Sequence, residues 1–160
     1  MMIGYMSIEE QVDVDFIRAR RRAFLRRVRA RLRKDHPSVT MVSFEEASRK
    51  LGGQGGVRLG RRVVRMDRIV GSVGRSGQFD SGFMPVKRSL ESRWKNVDRA
   101  FHGGIELQPV VLNKIGDLYF VVDGNHRVSV ACYHGVEMID AEVTELRARP
   151  SVENPETAVA

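Results

Sequence analysis

Cysteine is nearly absent: Cys132 is the single one in 160 residues. One thiol excludes an intramolecular disulfide and a cysteine-built zinc cluster. Long apolar runs are missing too, and none approaches the roughly twenty residues that a membrane span needs. The opening Met1 to Met6 is too short for a secretory signal, and the arginines come after it. The expectation is a cytoplasmic protein with no membrane span. Gly52-Gly53-Gln54-Gly55-Gly56 lacks the Gly-Lys-Ser/Thr that completes a P-loop, so it reads as a flexible linker. No cluster of acidic residues suggests a two-metal nuclease site, and no metal-ligand set is assigned.

What is present suits one folded domain with extensions. A hydrophobic fraction of 42% and a charged fraction of 29% are those of a globular protein. The net charge of +7 is unevenly spread. Residues 1–75 hold 18 Lys/Arg against 8 Asp/Glu, whereas residues 76–160 hold 9 against 12. Such segregation points to an electrostatic arm beside a nearly neutral domain.

The arm reads as one helix from about Ile8 to Lys34. Ser7 is its expected N-cap, with Glu10 at the capping-box position and acidic residues in the first turns. Ile17, Phe24, Leu25, Val28 and Leu32 fall at helical spacings and are expected to form one apolar stripe. Around it stand ten cations: Arg18, Arg20, Arg21, Arg22, Arg26, Arg27, Arg29, Arg31, Arg33 and Lys34. Asp35-His36-Pro37 is expected to stop the helix. Three readings stay open for this segment. It is an amphipathic helix docked on the domain with a solvated basic face, a binder of DNA or RNA phosphates, or a contact for an anionic membrane surface. A second short helix is predicted after the capping Ser43, to about Leu51.

The most informative stretch is Tyr119-Phe120-Val121-Val122-Asp123-Gly124-Asn125-His126-Arg127. Its first four residues are of strand type, Asp123-Gly124 favours a tight turn, and Asn125 to Tyr133 reads as a helix that Gly135 can end. A strand, a glycine turn and a helix start with free N–H groups make an anion site, to which Arg127 adds a forked cation. The expected ligand group is a phosphate. Before it, Gln108–Leu112 and Leu118–Val122 read as a central strand pair. Val110, Leu112, Phe120 and Val122 are expected to fill one face of that pair.

From Val63 to about Glu145 the chain resembles the ParB/sulfiredoxin superfamily. The resemblance rests on the strand with Asp67-Arg68-Ile69-Val70, the helix around Trp94 to Phe101, Leu107-Gln108-Pro109-Val110-Val111, the hairpin at Ile115-Gly116-Asp117, and the Asp-Gly-Asn-His-Arg box. ParB-type proteins carry Gly-Glu-Arg-Arg at the box, sulfiredoxins Gly-Gly-Cys-His-Arg, and small-molecule kinases of this fold Asp-Gly-His-His-Arg. The resemblance implies an α+β, ParB/sulfiredoxin-like mixed sheet with packed helices, preceded here by the basic amphipathic helix. Expected boundaries are 1–56 for arm and linker, 57–147 for the domain, and 148–160 for a disordered tail.

The resemblance also implies a nucleotide site made by Ser72, Arg75, Asp123, Gly124, Asn125, His126 and Arg127, with a nucleoside triphosphate, CTP or ATP, as ligand. Ser72 and Arg75 stand in a glycine-rich stretch that reads equally as a surface loop. Asp123 either fixes the turn or holds Mg²⁺ through water. His126 lies at the phosphates in sulfiredoxins, and a hydrogen bond to the turn is the alternative. Asn125 occupies the place of the sulfiredoxin nucleophile, and an amide cannot perform thiolate chemistry. ParB partition proteins continue into a helix-turn-helix reader, whereas about fifteen residues follow the last expected strand here. The function expected is nucleotide binding with nucleic-acid association through the arm. A nucleotide-dependent phosphotransferase, with Glu91, Asp98 or Glu106 as base, and a purely structural module are the alternatives. A homodimer is left open.

Overall fold

The protein is described from a computed structural model, covering residues 5–33, 39–52 and 55–147. Lys34, the Asp35-His36-Pro37 stop, part of the glycine linker and the expected tail lie outside the described residues.

Helix α1, Ile8–Leu32, begins as its sequence dictates. Ser7 Oγ accepts from the Glu10 N–H at 3.2 Å, and the Glu10 carboxylate accepts from the Ser7 N–H at 2.9 Å. The short strand β1 (Val42–Ser43) leads into α2 (Phe44–Leu51), which Ser43 caps and Gly52 ends in the left-handed region. Strand β2, Gly56–Arg65, passes through a 3₁₀ turn into β3, Ile69–Ser72. After a long connection comes α3, Glu91–His102, then the hairpin of β4 (Val110–Ile115) and β5 (Leu118–Asp123). Helix α4 spans Asn125–Tyr133, and β6 spans Met138–Leu146.

The strands form one mixed sheet in the order β1-β3-β5-β4-β6-β2. β1, β3 and β5 run parallel, as do β4 and β6, while β4–β5 and β2–β6 are antiparallel. This is the α+β mixed sheet expected. β2 extends the sheet further than expected, pairing along β6 from Gly56↔Leu146 to Arg65↔Met138. Its exposed Arg58, Arg61, Arg62 and Arg65 place charge on an open edge, which discourages pairing with another chain.

Both faces of the sheet are covered. Residues of α1, α3 and α4 share the large core with Val110, Leu112 and Val121, while Ala47 of α2 packs with Ile115 and Phe120 on the other side. Phe79, Phe83 and Met84 of the long connection tuck into the large core. Here the central strand departs from expectation. Val111 pairs with Asp123 and Leu112 with Val121, so Val122 is the extra residue of a β-bulge. Val121 is fully buried, Phe120 points to the opposite core, and Val122 is 42% exposed. Val122 is therefore not a core residue, because the Ile115↔Leu118 hairpin register sets Val121, not Val122, opposite Leu112.

The apolar stripe of α1 is a second correction. The buried face is Val12, Phe16, Ala19, Ala23 and Ala30, whereas Ile17, Phe24, Leu25 and Leu32 are exposed. Small alanines let the helix lie close against the domain, and polar partners line the same side. Asp15, 2% exposed, accepts from the Tyr133 hydroxyl at 2.8 Å and from Gln11 at 3.0 Å. Arg22 donates to the Tyr133 carbonyl at 3.0 Å and lies over its ring, and Arg26 pairs with the buried Asp80. Glu9 and Asp13 bind Arg99 and Lys95 of α3.

Candidate functional site

Strand β5 ends at Asp123, and Gly124 turns the chain into α4 with φ of 99°. That value alone favours glycine. A Cβ there would also lie 2.7 Å from Val110 Cγ1 and 3.1 Å from the Arg127 guanidinium. The first N–H bonded within α4 is that of Val128, which donates to the Gly124 carbonyl at 2.9 Å. The N–H groups of Asn125, His126 and Arg127 have no backbone partner among the described residues, and the helix dipole adds its positive end to them.

These groups open onto a cavity of about 350 Å³ lined by Arg75, Arg93, Asn96, Val97 and Val122 to Arg127. Asn125 is 6% exposed and its Oδ1 has no hydrogen-bond partner. His126 sits behind it with a buried, unpartnered Nδ1 and the Phe79 ring edge-on at 5.4 Å. Desolvation, then the charges of Arg93 and Arg75, bring the His126 imidazole down to about 4, so it is neutral at pH 7.

The other expected residues are placed differently. Arg127 Nη1 donates to the Gln108 and Pro109 carbonyls at 2.6 and 2.9 Å, and its Nη2 to Asp123 Oδ2 at 2.7 Å. It braces the approach to β4 against the box, and its fork is already occupied. Asp123 is spent on the same pair while its side chain faces solvent. Arg75 is exposed at the cavity rim, 3.3 Å from Gln78 Oε1. Ser72 is buried, donates to the Val121 carbonyl at 3.2 Å, and does not line the cavity. Nor do Glu91, Asp98 or Glu106. Arg93 and Asn96 are the residues that sequence reasoning missed. Their spacing with Val97 puts them on one face of α3, but nothing in the sequence says that this face meets the box.

The cations of α1 divide into two groups. Arg18, Arg21, Arg22, Arg27, Arg29, Arg31 and Arg33 are exposed. Arg20 is half-buried with its Nε unpartnered, and Arg26 is tied to Asp80. Arg22, Arg26, Arg29 and Arg33 line a groove of about 630 Å³ with Leu25, Val39 and Ser81. No helix among the described residues is long and apolar enough to cross a membrane.

No family model and no curated relative matches the chain. Two solved structures are similar over about half of it. A conserved hypothetical protein from Pyrococcus furiosus is 17% identical, covering 54% of this chain and 33% of its own, with a TM-score of 0.39. Sulfiredoxin from Arabidopsis thaliana is 15% identical, covering 52% of this chain and 82% of its own, with a TM-score of 0.37. The chain thus matches about a third of the length of the Pyrococcus protein. The six-stranded mixed sheet and the four described helices are of the α+β class.

Proposed function

We propose that the cavity at the start of α4 binds the phosphates of a nucleotide, with a nucleoside triphosphate, ATP or CTP, as the ligand class. The observation that carries this is the row of three N–H groups without backbone partners at the start of α4, which opens with Arg93 and Arg75 onto one cavity. The buried, unpartnered Oδ1 of Asn125 beside them asks for a ligand donor, since buried polar atoms in folded proteins are paired. The amide can offer its N–H₂ to a phosphate oxygen, or its oxygen to a ligand hydroxyl or amine. Arg93 and Arg75 flank the same space and supply positive charge. Neutral His126 can donate or accept but adds no charge. Mg²⁺ would arrive with the phosphates, since the residues that line the cavity offer the single carboxylate of Asp123, already paired with Arg127.

The test is isothermal titration of wild type, Arg93→Ala, Arg75→Ala and Asn125→Ala with ATP, CTP and GTP. Loss of one charge-assisted contact costs about 1.5–3 kcal/mol, a roughly ten- to hundredfold weaker Kd. Absence of binding by wild type at millimolar nucleotide refutes the reading. ADP or phosphate production by wild type would turn the binding site into a phosphotransferase or hydrolase site.

The exposed arginines of α1 support a second reading, association with DNA or RNA phosphates. An arginine-lined groove on a docked helix suits sequence-independent neutralisation of a phosphate chain. Affinity should then fall steeply with salt, and Arg22→Ala with Arg29→Ala should flatten the slope of log affinity against log salt. An unchanged slope in that double variant removes this reading.

A further inference from the structure

Away from the nucleotide cavity, α1, α3 and the end of α4 meet at four side chains that no part of the proposed function uses. Asp15 comes from α1, Asp98 and His102 from one face of α3, and His134 directly follows α4. One ligand atom from each lies within 4.8 Å of all the others. His102 Nε2 is 2.8 Å from Asp15 Oδ2 and 3.7 Å from Asp98 Oδ2, and His134 Nε2 is 2.7 Å from Asp98 Oδ1. We propose that Asp15, Asp98, His102 and His134 form a structural binding site for a divalent late transition metal, with Zn²⁺ as the best fit.

The donor set is the first argument. Two imidazole nitrogens and two carboxylate oxygens match the ligands Zn²⁺ takes, and four protein ligands make a closed, structural centre. Bonds of about 2.0–2.2 Å in a tetrahedron put neighbouring ligand atoms about 3.3–3.5 Å apart. The three separations above lie on either side of that value, and the remaining ones are within 4.8 Å.

An unsatisfied atom is the second argument. Asp98 is fully buried, and its Oδ2 has no hydrogen-bond partner. An orphaned carboxylate oxygen facing two imidazoles and a second buried carboxylate is stabilised by a cation among them.

The surroundings orient the ligands as metal centres require. Tyr133 and Gln11 both donate to Asp15 Oδ1, which leaves Oδ2 turned to the centre. The Phe101 ring stacks on His134 at 4.2 Å with a 9° interplanar angle, and Tyr133 meets the same imidazole edge-on at 4.9 Å. A metal here would fasten the N-terminal helix to α3 and α4 through coordinate bonds.

The experiment uses the full chain, stripped with EDTA and titrated with Zn²⁺, and with Co²⁺ as a spectroscopic probe. One equivalent per chain, an intense tetrahedral Co²⁺ spectrum, and a melting temperature that rises with Zn²⁺ and returns with EDTA are expected. His134→Gln and His102→Gln should each weaken binding by more than about tenfold, and Tyr133→Phe by about ten- to a hundredfold through loss of the group that orients Asp15. Cys132→Ser should leave binding unchanged. If a variant does not fold, the wild-type stoichiometry and spectrum still decide. No saturable Zn²⁺ or Co²⁺ binding by wild type overturns the proposal, and so does binding that survives equally in His102→Gln and His134→Gln. None of these readouts involves nucleotide, so failure here leaves the phosphate site standing, and the reverse holds too.

Discussion

The β4–β5 register sets Val121 opposite the buried Leu112 and leaves Val122 outside the core, and truncating each valine in turn tests the architecture beneath the site. Val121 is fully buried, whereas Val122 is 42% exposed. Val121→Ala removes two carbon groups from the large core, about 1.6 kcal/mol at about 0.8 kcal/mol per buried CH₂. The cavity left between Val121, Leu112 and the helices adds to this, giving about 2–3.5 kcal/mol in all. Val122→Ala loses area that water already reaches, and costs under about 1 kcal/mol. With about 2–4 °C of melting temperature per kcal/mol, Val121→Ala should melt roughly 4–14 °C below wild type and Val122→Ala within about 4 °C of it. Urea midpoints at constant m-value check the same ranking. Aspartate sharpens the contrast. Val121→Asp buries an unpaired carboxylate at a cost of several kcal/mol and should unfold the domain, while Val122→Asp should fold. Equal losses at the two positions, or a larger one at Val122, would refute this register and return Val122 to the core.

Gly124→Ala should lower stability by about 1–3 kcal/mol or more, because a Cβ at that positive φ strains the backbone and meets Val110 at 2.7 Å; a thermal melt by circular dichroism checks it. Ser129→Ala should cost about 1–3 kcal/mol by orphaning the buried Trp94 Nε1–H, which now donates to Ser129 Oγ at 2.8 Å, and the same melts report it. His126 should titrate near pH 4 in an NMR pH series. Its depressed folded value means that the unfolded chain alone takes up this proton between about pH 6.5 and 4, so the contribution to stability is full above pH 6.5 and is lost as pH falls through that window. A His126 midpoint near 6.5 would show that the imidazole is neither desolvated nor flanked by Arg75 and Arg93. The Cys132 thiol, pushed up to about 11 by burial, should react slowly with thiol reagents at pH 8 in the native state and rapidly after unfolding.

Local chemistry was legible in the sequence wherever neighbours along the chain decide the outcome. The Ser7–Glu10 capping box, Ser43 as a cap, the turn at Gly116-Asp117, the glycine at 124 and the limits of the box helix all follow from interactions across a few residues. The mixed-sheet class was expected from the family resemblance that the box and its flanking strands carry. Tertiary packing decided the rest. The α1 stripe turned outward because its alanine face, carrying Asp15, docks more closely than its larger apolar residues can. Val121 took the core place expected for Val122 because the Ile115↔Leu118 hairpin register sets it opposite Leu112. Arg127, read as a free phosphate fork, is held by carbonyls nearly twenty residues earlier in the chain, and Arg93 reaches the cavity from a helix that the sequence does not orient. Asp98 and His102 stand four apart on one face of α3, but nothing in the sequence joins them to Asp15 and His134, which other elements bring to them. Short-range geometry is written in adjacent residues, but which charge is spent, which face is buried and which distant groups converge are set by contacts that exist only once the chain has folded.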